Sequence, residues 1–258
     1  MTRPWLITLL TAALFAVLLA ACGQSVPPPP DSIGTPINHT LPAAIRTLPL
    51  VDDTGKPTSL AAYPDKILVI SDTMTLCQET CPLDTANVVQ TARAVEHAGF
   101  GDQVEFASIT VDPDRDTPAR LATYRHLFDP APADWTLLTA APGILAQLWN
   151  QLGVYWHKVP EDNPPGTDWL TGKPLTYDIN HSDLIFFFDR DGHERFVIDG
   201  AAHVEPGTQV PATLRGFLSD QGQNNLTHPE PDSWTVPQAL QVINWLTQRQ
   251  IPPPPSIG

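Results

Sequence analysis

Two cysteines, Cys77 and Cys81, are the side chains best placed to do chemistry, because they lie where an apolar run meets an amphipathic segment. The run before them, residues 67–70, is unbroken and typical of a buried strand. After them, Pro82 suits the first turn of a helix, and apolar residues recur at helical spacing up to Gly99. The pattern therefore predicts two thiols at the junction between a strand and a helix N-terminus.

A helix N-terminus favours the thiolate form of cysteine, because backbone N–H groups and the helix dipole stabilise negative charge. If both cysteines lie in the first helical turn, they share one face and are about 5–6 Å apart at Cβ. If Pro82 keeps Cys81 out of the helix, Cys77 lies in the loop and folds back. Either arrangement allows a reversible disulfide or a shared soft metal. The alternative is a pair of buried thiols that only pack.

The elements that would position these thiols alternate between strands and helices. We predict a β-hairpin over Ile37–Tyr63 that turns at Asp52–Gly55, strands at Val104–Val111, Trp135–Leu138, Val154–Trp156, Leu184–Phe188 and Glu194–Ile198, and helices at Thr117–His126, Pro142–Leu152, Pro211–Leu218 and Val236–Arg249. A long polar loop is expected at residues 157–178. This order predicts an α/β chain with a thioredoxin-like fold, an N-terminal β-hairpin and a C-terminal helical extension.

Composition limits the partners and the domain organisation. A formal net charge of −14 argues against nucleic acid as a partner, because its phosphates would repel the chain. The 29 prolines cluster at the two ends of the sequence. We therefore expect a proline-rich linker at residues 22–36, one thioredoxin-like domain at 37–250 and a proline-rich tail at 251–258.

The first 21 residues predict a signal peptide, since Arg3 is followed by an apolar run that is short for a membrane-spanning helix. The end of the run, LAAC at residues 19–22, resembles the lipobox of bacterial lipoproteins. That resemblance implies cleavage before Cys22 and lipid on its thiol. A plain membrane anchor and secretion with a free Cys22 are the alternatives. The lipoprotein interpretation places the chain on the cell membrane, facing the extracytoplasmic side, where disulfides persist.

Three further motifs accompany the cysteines: DPDRDTP at residues 112–118, VYW at 154–156 and NHS at 180–182. Together with TLCQETCP at 75–82, and in this order, they resemble the Sco/SenC family of thioredoxin-fold copper proteins over residues 48–200. The resemblance implies that Cys77, Cys81 and His181 bind copper. It also implies a role in assembling the CuA centre of cytochrome c oxidase, with oxidase subunit II as the partner.

The chemistry of this ligand set agrees with copper. Two thiolates and one imidazole form a soft, low-coordinate site that favours Cu(I), whereas structural zinc normally takes four ligands. A lone histidine at a strand start, as expected for His181, is more often a surface residue, so its role rests on the resemblance. Asp112 and Asp116 could orient the site, and Asp116 could instead cap the following helix. Met74 is expected in the core and His157 in solvent.

The same cysteines support two rival functions. One is a thiol–disulfide oxidoreductase that reduces target cysteines through a mixed disulfide. The other is a redox or copper sensor. The sequence also departs from the family pattern: QET between the cysteines replaces the usual Pro-acidic start, residues 71–74 lack a Gly–aromatic pair, the 157–178 loop is longer, and the chain continues from Ala201 onward. These departures do not change the three copper ligands. They do mean that the resemblance does not identify the target oxidase.

Overall fold

The computed structural model describes residues 28–253. The predicted signal peptide, Cys22 and residues 254–258 of the predicted tail lie outside this range. Among the described residues, none of the helices combines the length and the apolar character needed to cross a bilayer.

Ten strands and seven α-helices form the described part of the chain. The strands are β1 Thr35–Thr40, β2 Leu50–Asp52, β3 Pro57–Thr58, β4 Ile67–Thr73, β5 Val104–Thr110, β6 Trp135–Thr139, β7 Trp156–Val159, β8 Asp178–His181, β9 Leu184–Phe188 and β10 His193–Asp199. The helices are α1 Ala43–Arg46, α2 Cys81–His97, α3 Pro118–His126, α4 Pro142–Leu152, α5 Ala212–Phe217, α6 Asp220–Thr227 and α7 Val236–Thr247, with one 3₁₀ turn at Leu60–Ala62.

Eight of these strands form one mixed sheet in the order β1-β10-β9-β4-β5-β6-β2-β3. The central strands β4, β5 and β6 run parallel, and β9 joins β4 antiparallel. Strand β4 is buried on both faces. Ile67 and Val69 pack toward α2, α3 and α7, while Leu68 and Ile70 pack toward α4. This burial explains the unbroken apolar run. It also fixes the position of the end of β4, after which the two cysteines follow in the chain.

The thioredoxin-like α/β prediction is confirmed, but the N-terminal hairpin is shorter than predicted. Strands β2 and β3 pair around Asp52, whose Oδ1 accepts from the backbone N–H groups of Thr54 and Lys56 at 2.9 Å each. Residues 35–40, expected in part to belong to this hairpin, instead form β1 at the opposite edge, paired with β10. Strand β1 is mostly exposed and carries no alternating pattern that could reveal its partner.

Core contacts extend a few residues beyond both predicted domain ends. Ile33, in the predicted linker, is buried in the main core, and β1 begins at Thr35, before the predicted start at residue 37. At the other end, Ile251 is buried, and its N–H donates to Asn244 Oδ1 at 2.7 Å. Proline content predicted spacers at both ends, yet an isoleucine in each is buried in the main core.

Among the short elements that were not predicted, β8 relocates His181. Strand β8 pairs antiparallel with β7, with Trp156 opposite His181. His181 therefore ends β8. The sequence pattern instead predicted it at the start of the following strand. Helix α6 was also missed, because its polar sequence has no apolar period.

Candidate metal centre

The two cysteines lie at the predicted junction of strand and helix, but in neither of the two arrangements considered: Cys81 begins the helix and Cys77 precedes it. Strand β4 ends at Thr73, and Cys81 is the first residue of α2. Cys77 lies in the intervening residues 74–80, which we call the cysteine turn. The N–H of Cys81 donates to Cys77 Sγ at 3.4 Å, so the start of α2 faces the Cys77 sulfur. Both cysteines are free thiols and are buried.

Strand β8 brings His181 to these thiols from the other side of the chain. Its Nε2 lies 3.3 Å from Cys81 Sγ. The two sulfurs and one nitrogen of the histidine all lie within 4.8 Å of one another. Three donors predicted from sequence are thus close enough to share one metal ion. Cys22, the fourth predicted site residue, lies outside the described residues.

Pairing of β7 with β8 also joins two of the sequence motifs. Tyr155 and Ser182 exchange hydrogen bonds: the Ser182 N–H donates to the Tyr155 carbonyl at 2.9 Å, and the Tyr155 N–H donates to Ser182 Oγ at 3.1 Å. VYW and NHS therefore form one structural unit. Its role is to hold the backbone of His181 in place.

Asp72, which sequence reasoning missed, orients the imidazole. His181 Nδ1 lies 2.7 Å from Asp72 Oδ2 and 2.8 Å from the Ser182 carbonyl oxygen. Both neighbours are acceptors, so Nδ1 carries a proton and Nε2 is left to face the thiols. Asp72 is itself fixed, because its Oδ1 accepts from the Leu184 N–H at 2.7 Å. A carboxylate inside the buried run of β4 was the signal available in the sequence.

The two thiols differ in their acidity. The hydrogen bond from Cys81 holds the pKa of Cys77 well below its usual value; burial opposes this effect, and His181 adds to it. Burial raises the pKa of Cys81 well above its usual value, and its hydrogen bond to Cys77 raises it further. Burial alone would lower the pKa of His181, but Asp72 raises it well above the ordinary value. The metal-free site therefore favours a Cys77 thiolate beside an imidazolium.

Asp116 orients the cysteine turn and does not cap a helix. Its carboxylate accepts from the Thr75 N–H at 3.1 Å, from the Thr75 hydroxyl, and from Thr110 Oγ1 at 2.6 Å. Thr117 is the N-cap of α3, accepting from the Arg120 N–H at 3.3 Å. Burial raises the pKa of Asp116 to about 6, although the Thr110 and Thr75 hydrogen bonds oppose that rise. Of the two roles expected for Asp116, the structure supports orientation.

Asp112 secures the loop that leads into β8. It accepts a hydrogen bond from the Tyr177 hydroxyl at 2.8 Å and pairs with Arg115. Arg115 donates to the Tyr177 carbonyl at 2.8 Å and stacks on the Tyr177 ring. Met74 is buried in the core and His157 is exposed, as predicted.

A cleft of about 330 Å³ opens beside the thiols, lined by Cys77, Glu79, Asp178, His181 and Asp183 among others. Burial and the neighbouring negative charge of Cys77 raise the pKa of Glu79 and of Asp178. Burial raises the pKa of Asp183 to about 7, against the influence of His181. The cleft is therefore an acidic approach to the thiols, lined by three carboxyl groups whose ionisation burial weakens.

Residues 42–215 match the family model described as SCO1/SenC. The chain belongs to the SCO1/SenC family. Its curated relatives include the mitochondrial SCO2 homolog of Bos taurus, which is 28% identical over 143 residues, covering 55% of this chain and 49% of that protein. The corresponding protein of Mus musculus is 27% identical, covering 55% and 51%. This chain thus spans about half the length of the curated relatives it matches.

A solved structure of the family agrees on the fold. An SCO1/SenC family lipoprotein from Bacillus anthracis str. Ames is 22% identical, with 71% of this chain and 95% of that chain covered and a TM-score of 0.52. ScoI of Bradyrhizobium japonicum, solved with copper bound, is 27% identical, with 72% and 99% covered and a TM-score of 0.47. The family predicted from the sequence motifs is confirmed. Helices α6 and α7 of this SCO1/SenC protein lie beyond the region that matches the family model.

Proposed function

We propose that this chain is a membrane-anchored, extracytoplasmic copper metallochaperone that delivers copper to the CuA centre of cytochrome c oxidase subunit II. Cys77, Cys81 and His181 hold the copper. The observation that carries the proposal is the convergence of two sulfurs and a histidine nitrogen within 4.8 Å of one another. Membership of the SCO1/SenC family supports the same cargo and the same kind of partner.

The donor set suits Cu(I) as cargo. Thiolate and imidazole ligands select soft metals, and three donors match the low coordination number of Cu(I). The nearby carboxylates lie on the Nδ1 side of the imidazole: Asp72 is 2.7 Å from that nitrogen and Asp183 is 3.8 Å from it. They orient the histidine, and the Nε2 side presents soft donors. A carboxylate that holds a ligating histidine is common at metal sites and raises the basicity of the ligand.

Loading with Cu(I) displaces protons from the site. Cys81 keeps its proton at neutral pH because burial raises its pKa, and His181 is held as the imidazolium by Asp72. Copper requires the Cys81 thiolate and the free electron pair of Nε2, so up to two protons leave. Delivery is the reverse exchange: thiolate or imidazole ligands of the acceptor replace those of this chain one by one.

A thiol–disulfide oxidoreductase is the second candidate, and the unequal thiols favour it. The Cys77 thiolate would attack a target disulfide, forming a mixed disulfide and releasing one target thiolate. Cys81 would then lose its proton and attack Cys77 Sγ. The products are a Cys77–Cys81 disulfide and a target carrying two thiols. These reaction steps do not require an imidazole ligand.

Competition for Cu(I) separates the two candidates. The purified, reduced protein is titrated with Cu(I) in the presence of a chromogenic Cu(I) chelator, alongside Cys77→Ser and His181→Ala variants. A metallochaperone retains one copper per chain, and both variants lose it to the chelator. Rapid reduction of a model disulfide without copper retention would overturn the metallochaperone and favour the oxidoreductase.

The membrane anchor is tested separately. Lipid on Cys22 predicts a mature chain that begins at this residue with a mass increased by acyl groups, and a Cys22→Ser variant that is released from membranes or left unprocessed. An intact mass showing an unmodified Cys22 thiol on the mature protein would exclude the anchor while leaving the copper site untouched.

A further inference from the structure

Two segments pack against the cysteine turn. One is the loop at residues 160–177. The other is the C-terminal arm, which we define as α5 and α6 with their connection, residues 212–227. Both meet at Gln78, the residue that follows Cys77: a Cβ at Gly166 would lie 2.4 Å from the Gln78 side-chain amide, and one at Gly222 would lie 2.2 Å from the Gln78 carbonyl oxygen.

The C-terminal arm holds the Gln78 carbonyl directly. The Ser219 N–H donates to it at 2.9 Å, and Ser219 Oγ donates to it at 3.3 Å. The same Oγ accepts from the Gly222 N–H at 3.1 Å, which caps α6. Gly222 allows this close approach because it has no Cβ. The start of α6 is therefore seated on the backbone between the two cysteines.

The arm is a fixed support and not a loose cover. Leu214, Phe217 and Leu218 are buried. Phe217 packs in one cluster with Leu76, the residue just before Cys77. Within the arm, Gln223 Nε2 donates to the Arg215 carbonyl at 2.7 Å and joins α6 to α5. Movement of the Gln78 carbonyl must therefore displace an element anchored in the core.

The other side of Cys77 is anchored as well. The Trp169 indole N–H donates to the Thr75 carbonyl at 2.7 Å, and Asp116 binds the Thr75 N–H and hydroxyl. Cys77 thus lies between two held residues, Thr75 and Gln78. Its position is set by contacts from three separate parts of the chain.

This anchoring bears on the oxidation of the thiols. In the structure the sulfurs are unbonded, whereas a disulfide needs them about 2.05 Å apart. Cys81 is fixed in α2, so the movement that closes the bond falls on Cys77 and the cysteine turn. Oxidation by a small disulfide, in which two thiols and RSSR give Cys77–Cys81 and two RSH, must work against the contacts at Gln78.

We propose that Ser219 and Gly222 are positioning residues that hold the cysteine turn in its dithiol arrangement. In doing so they favour the reduced pair over the disulfide. The consequence for copper rests on the proposed function: the arm keeps the two sulfurs placed for Cu(I), so that less free energy is spent on ordering them when the metal binds.

The test compares two glycine-to-alanine variants of the full chain. Gly222→Ala puts a methyl group against the Gln78 carbonyl, whereas Gly216→Ala, in α5, meets nothing within 4 Å. Both changes raise helix propensity equally, so Gly216→Ala is the matched control. The metal-free protein is equilibrated in glutathione redox buffers, trapped by alkylation and read by mass. Gly222→Ala should shift the equilibrium about tenfold toward the disulfide, or about 30 mV more negative, with Gly216→Ala unchanged.

Cu(I) competition on the same samples gives the second readout, with an expected loss of about tenfold in affinity for Gly222→Ala. A Gly222→Ala protein that matches the control in its dithiol–disulfide equilibrium, or that shifts toward the dithiol, would overturn the proposal. If Gly222→Ala does not fold, Ser219→Ala removes the hydroxyl bonds alone and must shift the equilibrium in the same direction. Failure of the wild type to bind copper would overturn the proposed function, and the redox shift would still test the arm.

Discussion

His181 Nδ1 lies 2.7 Å from Asp72 Oδ2, and this contact, together with the Ser182 carbonyl oxygen at 2.8 Å, leaves Nε2 facing the cysteines. Asp72 lies in the central strand β4 and His181 at the end of β8, so the pair joins the core of the sheet to the candidate metal centre. The carboxylate fixes the ring and raises its basicity.

Replacing Asp72 with Asn should weaken Cu(I) binding by roughly 10–100-fold, the usual cost of losing a carboxylate that orients a ligating histidine. The pKa of His181 should fall toward its ordinary value, because Asp72 raises it in the wild type. NMR titration of the imidazole and Cu(I) competition give the two readouts. Asp183→Asn is the control, since its carboxylate is 3.8 Å from Nδ1 and should have the smaller effect. Equal effects of the two variants would refute a special role for Asp72.

Removing the imidazole with His181→Ala should lower Cu(I) affinity by about tenfold or more, because one of three ligands is lost. Dithiol–disulfide exchange should persist, since that reaction needs only thiolate and disulfide. It should slow at pH 7 and recover at higher pH, because His181 is one of the groups that lower the pKa of Cys77. Copper titration and an exchange-rate profile on the same sample test both statements. Unchanged copper binding in the variant would remove His181 from the ligand set.

Cu(I) affinity should rise with pH through the neutral range. The pKa values of Cys81 and His181 are both raised, so the metal-free site holds a proton on each at neutral pH. Each proton displaced adds about one unit of log affinity per pH unit while its group stays protonated in the metal-free form. Competition at pH 6.5, 7.5 and 8.5 should therefore give a slope between about one and two. A flat profile would mean that both ligands are already deprotonated.

The Trp169 hydrogen bond to Thr75 should contribute measurably to stability. Trp169→Phe keeps an aromatic ring beside Tyr124 but removes the indole N–H that donates to the Thr75 carbonyl. Leaving this carbonyl without its donor should cost about 1–3 kcal/mol in the free energy of unfolding. Trp245→Phe, on α7 beside Arg195, is the control. If the denaturation curves of the two variants coincide, the hydrogen bond from Trp169 to Thr75 makes no specific contribution to stability.

The sequence predicted the central elements because their patterns are local. Each of three patterns can be recognised within its own segment: the buried apolar run of β4, the proline at the start of α2 and the helical spacing of apolar residues in α4. The two cysteines stood out by their spacing at a strand–helix junction, whereas His181 was named only through the family resemblance of the NHS motif. Ile33 and Ile251 were assigned to spacers because their anchoring depends on a distant core.

The contacts that set the geometry of the site could not be predicted, because they join residues far apart in the chain. Asp72 lies 109 positions before His181, and nothing in β4 indicates its partner. The approach of Gly222 to Gln78 depends on how the C-terminal arm docks, which is set by Leu214 and Phe217 and not by any pattern around the cysteines. The pairing of the two four-residue strands β7 and β8 could not be predicted from the sequence either.

The two cysteines should differ sharply in reactivity. Cys77 lines the acidic cleft and its pKa is lowered, whereas Cys81 is buried with a raised pKa. Because the thiolate is the nucleophile, brief alkylation of the reduced protein at pH 7 should modify Cys77 first. Peptide mapping separates the two positions from Cys22, and the unfolded protein, in which both thiols react alike, is the control. Selective modification of Cys81, or equal rates in the folded protein, would contradict the asymmetry that makes Cys77 the attacking thiolate in disulfide exchange.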